Sequence, residues 1–134
     1  MFITYPQLNG QVAVIIPCGD VNLAIKDVPE NTQYKIVESL EIDNDYFDAY
    51  EFDAGIGAKV NIEKAKVIHL EKFRFARSPK LKELDIAFMK AVETGDEVRK
   101  QEIVAEKQKL RDVTLTPLPD NLAALKTVWP AILL

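Results

Sequence analysis

The feature that most constrains this chain is a change of hydrophobic period near residue 60. Before it, apolar residues fall in short β-prone runs; after it, they recur every three or four positions. A period of two sends alternate side chains to opposite faces of a strand, whereas a period near 3.6 lines one face of a helix. A 134-residue chain that switches from one to the other is predicted to be α+β. The expected architecture is a small N-terminal antiparallel β unit over residues 1–55, followed by a helical domain over 58–134. That second domain reads as a hairpin or bundle of three to four helices.

Phe2-Ile3-Thr4-Tyr5 reads as a short strand closed by Pro6, and Asn9-Gly10 is a hairpin signal ahead of a second strand from Gln11 to Ile16. That second run is apolar enough to be buried on both faces. Pro17 and Gly19 end it, and Val21 to Ile25 fits either a short helix or an extended piece. Tyr34-Lys35-Ile36-Val37 alternates as a strand after the Pro29-Glu30-Asn31 turn, and Asp43-Asn44-Asp45 marks a loop. Tyr46 to Phe52 is aromatic enough for a further strand, with Phe47 anchoring the loop. Gly55-Ile56-Gly57 is predicted to be a hinge between the halves.

In the helical half, Asn61 is a suitable N-cap, with Glu63 in the first turn where the helix dipole favours an acid. Ile62, Ala65, Ile68, His69 and Phe73 lie near one stripe. Ser78-Pro79 is a restart signal, with Ser as cap and Pro at the first helical position. Leu81, Leu84, Phe88 and Val92 then repeat at spacings of three and four, and Ile86 with Met89 forms a second stripe; such a helix is expected to be covered on two sides. Gly95-Asp96 closes that helix and caps a third, Val98 to Leu110, whose sparse apolar face is Ile103 and Leu110 helped by Ala105. So short a turn implies antiparallel packing. Asp120 or Asn121 caps a last short helix through Leu122 and Leu125, ended by Trp129-Pro130.

Catalytic patterns are missing. His69 is the only histidine and Cys18 the only cysteine, so neither a two-histidine nor a multi-cysteine metal site can form, and an internal disulfide is excluded. The helical neighbours of His69 (Ala65, Lys66, Lys72 and Phe73) include no carboxylate to orient it, so it reads as a partly buried or surface-lying residue and not a catalytic one. Cys18, between Pro17 and Gly19, reads as a turn filler. Gly55-Ile56-Gly57 lacks the third glycine of a dinucleotide fingerprint. Asp43-Asn44-Asp45 lacks the glycine and closing glutamate of a calcium loop and reads as a solvated turn. No catalytic residue, cofactor or metal is implied, and the chain is not expected to be an enzyme.

Charge is placed unevenly. Nine acids stand against one base between Asp27 and Asp53, and seven bases against one acid between Lys64 and Lys82. The two blocks read as solvated faces, able to pair with each other or to meet different partners. A net charge of −4 argues against a nucleic-acid partner. Phe73 and Phe75 within the basic segment are expected to complete a buried helix stripe. No basic leader precedes the first strand, and no apolar run is long enough to span a membrane, which points to a soluble protein.

Several stretches together resemble a family of phage and prophage tail-assembly chaperones associated with tail fibres. In the first half these are Gly10 to Pro17, Val28-Pro29-Glu30, Tyr34 to Val37, and Phe47 to Asp53, where the family tends to carry tryptophan in place of Tyr50. In the second half they are Lys64-Ala65-Lys66, Ile68, Arg74, Arg77 to Leu81, Leu84 to Ala91, Glu93 to Asp96, Lys107 to Thr114, Leu125 and Trp129-Pro130. The resemblance spans nearly the whole chain and assigns no catalytic residue. It implies a non-catalytic chaperone or adaptor that binds a phage tail or tail-fibre protein in the host bacterial cytoplasm. Two other roles fit the same residues. One is a permanent virion component of the tail, collar or fibre attachment, whose opposite charge blocks suit contacts in a homo-oligomer. The other is an acidic inhibitor of a host defence complex. Arg74, Arg77, Arg111, Asp112 and Trp129 are the candidate partner-binding residues, Trp129 reading as a core anchor ahead of an interface hot spot.

Overall fold

The computed structural model describes all residues from 1 to 134. The chain divides into two compact units, Met1–Ala65 and Lys66–Leu134.

The first unit holds β1 (Phe2–Pro6), β2 (Val12–Ile15), a one-turn helix α1 (Val21–Ala24), β3 (Lys35–Val37), β4 (Tyr50–Asp53) and β5 (Gly57–Val60). One sheet has the order β2-β1-β3 and the other pairs β4 with β5; every pairing is antiparallel. The β1–β2 hairpin forms at the predicted Asn9-Gly10 turn. Gly10 takes φ +84°, and Asn9 Oδ1 accepts the Gln11 N–H at 3.0 Å. Ile3, Thr4 and Val12 are wholly buried. The register sets Ile3 between Ile15 and Ile36 on one face of the sheet, and Thr4 between Val14 and Lys35 on the other.

Three expectations for this unit are corrected. β2 is not buried on both faces: only Val12 is buried, and Ile16 beyond the strand is exposed. Gly55-Ile56-Gly57 is not a hinge but the turn of the β4–β5 hairpin. Asp53 Oδ1 accepts the Gly55 and Ile56 N–H groups at 2.7 and 3.0 Å, and Gly57 supplies the positive φ of +95° that closes the loop. The short run Gly57–Val60, with only two apolar side chains, was not legible as a strand; it forms because the aspartate fixes the turn and β4 supplies the ladder. The aromatic run divides in two. Asn44–Ala49 is 3-10 helix with Tyr46 and Ala49 buried, and only Tyr50–Asp53 is strand.

α2 (Ile62–Thr94) starts in the first unit, where Asn61 Oδ1 accepts the Glu63 and Lys64 N–H groups as predicted. It runs unbroken past Pro79, so Ser78-Pro79 does not restart a helix. The core positions Phe73, Arg77, Leu81, Leu84 and Phe88 keep one helical phase across the proline. Both Pro79 and Phe75, whose carbonyl would have bonded to residue 79, lie on the exposed face, where water can satisfy the freed oxygen.

In the second unit α2 ends in a Schellman motif: the Asp96 N–H bonds the Ala91 carbonyl, the Gly95 N–H bonds that of Val92, and Gly95 has φ +70°. Asp96 then caps α3 (Glu97–Arg111) by accepting the Arg99 N–H. α3 returns antiparallel to α2, as an ion pair between Lys107 and Asp85 and the seat of the Lys107 ammonium 5.3 Å from the Phe88 ring show. Ile103 and Leu110 are buried as expected, but Ala105 is exposed. A 3-10 turn (Asp112–Leu115), α4 (Leu122–Leu125, capped by Asn121) and a 3-10 turn at Ala131–Leu133 complete the unit. Its core gathers Phe73, Leu110, Val113 and Leu133, with Leu70, Leu81, Leu84 and Val128 against them. The second apolar stripe of α2 is not covered. Ile86 and Met89 are exposed, and so is Val92, because the buried residue after Phe88 is Ala91, in phase with Leu84, while Val92 turns about 100° away. No helix is long and apolar enough to cross a membrane.

A candidate partner-binding groove at Trp129

The candidate site lies in the second unit and is built on the aromatic row of α2. Residues 69 and 73 share one helix face, so His69 and Phe73 stack one turn apart, with ring centroids 4.8 Å apart and edge to face. Trp129 closes the cluster from the C-terminal segment, 5.4 Å from Phe73 and 6.5 Å from His69, both edge to face. The segment is held by a 2.7 Å hydrogen bond between His69 Nε2 and the Val128 carbonyl oxygen. A carbonyl cannot donate, so this nitrogen carries the proton. His69 is 2% exposed, more deeply buried than the partly buried or surface-lying residue expected.

Trp129 is 40% exposed, so it is core on one edge and surface on the other. Its open edge, with Ile68, Phe75 and Ala76 of α2, walls a shallow groove of about 660 Å³, rimmed by Glu71 and Lys72. Phe75 is 85% exposed and does not complete the buried stripe. Phe73 and Phe75 are two residues apart and therefore about 200° apart around the helix, so one core cannot take both. That spacing was the signal in the sequence that placed Phe75 outside.

The other candidates separate by role. Arg74 does not line the groove but pairs with Glu71, which does. Arg77 turns inward instead: its Nη1 donates to the backbone carbonyls of Leu110 at 3.4 Å and Arg111 at 3.0 Å, capping the C-terminus of α3. Asp112 accepts from Gln108 Nε2 at 2.8 Å, and Arg111 and Asp112 are both exposed. Of the candidates only Trp129 lines the groove, and Arg74 touches it only through Glu71, whereas Arg77, Arg111 and Asp112 cluster at the end of α3. Two further cations of the basic segment are engaged within the unit: Lys66 pairs with Asp120, and Lys80 Nζ donates to the Leu134 carbonyl at 3.0 Å.

In the first unit the two charge blocks meet where Lys64 Nζ lies 2.8 Å from Glu51 Oε1 and Asn61 Nδ2 donates to the same oxygen at 3.0 Å. The Lys64 and Asn61 hydrogen bonds hold the Glu51 carboxyl below its ordinary range. Backbone N–H groups of Ile56 and Gly55 do the same for Asp53. Asp43 caps its own 3-10 turn by accepting the Asp45 N–H at 3.0 Å, and Cys18 is exposed in the turn before α1. A wider depression of about 1200 Å³, between the β1–β2 turn and Pro29–Gln33, is lined by turn residues and brings no catalytic grouping together.

No family model matches this chain, and neither the curated proteins nor the solved structures contain a significant match to it.

Proposed function

We propose that this protein is a phage tail-assembly chaperone or adaptor that holds a tail or tail-fibre polypeptide through the groove at Trp129. The observation that carries the binding role is the pairing of an almost fully exposed phenylalanine with a half-exposed tryptophan across one apolar concavity. Leaving Phe75 in water forgoes roughly 2 kcal/mol of burial, and aromatic anchors in such concavities are where binding energy concentrates. A partner segment presenting an aliphatic or aromatic side chain fits the floor, and Glu71 and Lys72 in the lining offer both signs of charge for register. The assignment to tail assembly is supported by the ordered resemblance of the segments from Gly10 to Trp129-Pro130. The roles of His69 in packing and of Arg77 in capping support binding over catalysis, since each side chain is committed to the fold.

Coexpression with a tail-fibre protein of the same phage tests this. The expected result is a soluble complex that is lost when Phe75 and Trp129 are replaced by alanine in a variant that keeps its helical circular dichroism. A fibre protein whose solubility and recovery are the same with and without this chain overturns the proposal. Absence from purified particles is the further result expected of an assembly factor.

A further inference from the structure

The outer face of α2 carries an apolar row that nothing in the chain covers. Ile86 is 59% and Met89 63% exposed, and Val92 beside them is half exposed. Single exposed apolar side chains are ordinary, but consecutive ones along a helix face are not. Lys82, Ile86, Met89 and Glu93 follow one another at spacings of four, three and four, which sets them on one straight face about three turns long. This is the repeat by which two helices pack side by side.

The row is closed at its two ends by opposite charges, Lys82 and Glu93, both exposed. A parallel second helix would set Lys82 on Lys82 and Glu93 on Glu93. An antiparallel one, related by a two-fold axis between residues 87 and 88, sets Ile86 on Met89 of the second copy and Lys82 on its Glu93. The face is thus complementary to itself only when reversed, which is the condition for an isologous interface.

We propose that two copies of this chain pair through α2, antiparallel across Ile86 and Met89, with Lys82 and Glu93 setting the register. This surface is separate from the groove at Trp129, and the proposal does not rest on the assignment to phage tails. A seam of three turns buries less than the roughly 800 Å² per partner of a standard stable interface, so the dimer is weak and depends on concentration.

Sedimentation equilibrium of the whole chain, carrying Cys18→Ser to prevent disulfide cross-linking, tests this between about 10 μM and about 1 mM, the range of weak association. The expected mass rises from one chain towards two. Ile86→Glu weakens association at least about tenfold. Lys82→Glu and Glu93→Lys each weaken it, because each sets like charges across the axis, and the double reversal restores it. All these positions are exposed, so helical circular dichroism stays at the wild-type value. A monomer at every concentration overturns the proposal. So does a dimer indifferent to Ile86→Glu, or a double reversal that fails to restore association. A monomer that loses a coexpressed tail protein on Ile86→Glu also overturns it, by giving the face to a different partner.

Discussion

His69 Nε2 donates to the Val128 carbonyl oxygen at 2.7 Å, tying the middle of α2 to the segment that carries Trp129. The position of the tryptophan, and with it one wall of the groove, depends on that bond and on the edge contacts among the three rings.

His69→Ala is therefore expected to act twice. It opens a cavity in a buried cluster and leaves a carbonyl without its donor, at a combined cost of about 2–4 kcal/mol. Thermal unfolding followed by circular dichroism should show the midpoint falling by about 10 °C. The environment of Trp129 should change in step, as a shift of tryptophan fluorescence towards that of a solvated indole. An unchanged midpoint would remove the histidine from the fold.

In the first unit the tightest backbone position is Gly57. Its φ is +95°, and a Cβ there would stand 3.1 Å from Val37 Cγ1 and 3.3 Å from Thr4 Oγ1. Gly57→Ala is expected to destabilise by about 2–3 kcal/mol, strain and crowding together. Gly10 has a similar φ, +84°, but open space around it. Gly10→Ala should cost only the conformational part, about 1 kcal/mol. Urea titrations of the two variants measure the difference, and equal losses would refute the close approach of β5 to β1 and Val37.

The lowered carboxyls of Glu51 and Asp53 give the stability an acid limb. Each group binds its proton less readily in the folded chain than in the unfolded one, whose ordinary values are 4.5 and 3.8. Their contribution is complete above those values and is lost as pH falls through the folded ones. Both side chains are well hydrated, so the effect is small. Glu51→Gln with Asp53→Asn should flatten the decline of the urea midpoint below about pH 4.5. A limb as steep as in the wild type would assign the acid sensitivity elsewhere.

Local chemistry was legible where one residue decides the outcome. Asn61 and Asp96 cap as their types require, and Gly10 and Gly95 sit where a positive φ is needed. The candidate site was legible only in part. Trp129 was singled out, but Phe75 was assigned to the core despite standing two residues from Phe73. In the sequence Arg77 reads as a partner contact, because its targets, two carbonyls more than thirty residues away, exist only after the hairpin closes. Long-range partners of this kind leave no mark on the local pattern. Gly55-Ile56-Gly57 misled for the opposite reason: glycines serve hinges and tight hairpins alike, and what decides is the Asp53 side chain two residues before them.

Pro79 offers a direct test of the unbroken helix. A proline in a helix interior costs about 3 kcal/mol against alanine, through a lost hydrogen bond and a clash with the carbonyl four residues earlier. Pro79→Ala restores the N–H that can reach the Phe75 carbonyl. It is expected to raise stability by about 1–3 kcal/mol, read as a higher unfolding midpoint with unchanged helical ellipticity. A proline at the first position of a separate helix would give the reverse, because there its fixed φ is an advantage.

Arg74 and Arg77 stand three residues apart and were both candidates for partner contact, and substitution separates them. Arg77 donates to the last carbonyls of α3, groups that no intrahelical N–H can satisfy. Arg77→Ala should therefore destabilise the isolated chain by about 1–2 kcal/mol, lowering the unfolding midpoint by several degrees. Arg77→Lys should recover part of the loss, since both bonds come from the single Nη1 and an ammonium also carries more than one donor. Arg74 has only its exposed pair with Glu71, and Arg74→Ala should leave stability within about 0.5 kcal/mol of the wild type. If Arg74→Ala nevertheless weakens recovery of a coexpressed tail protein, the arginine beside Glu71 acts on the partner. If instead Arg77→Ala weakens recovery while leaving the midpoint untouched, the capping role assigned to it is wrong, and the end of α3 belongs to the binding surface with Arg111 and Asp112.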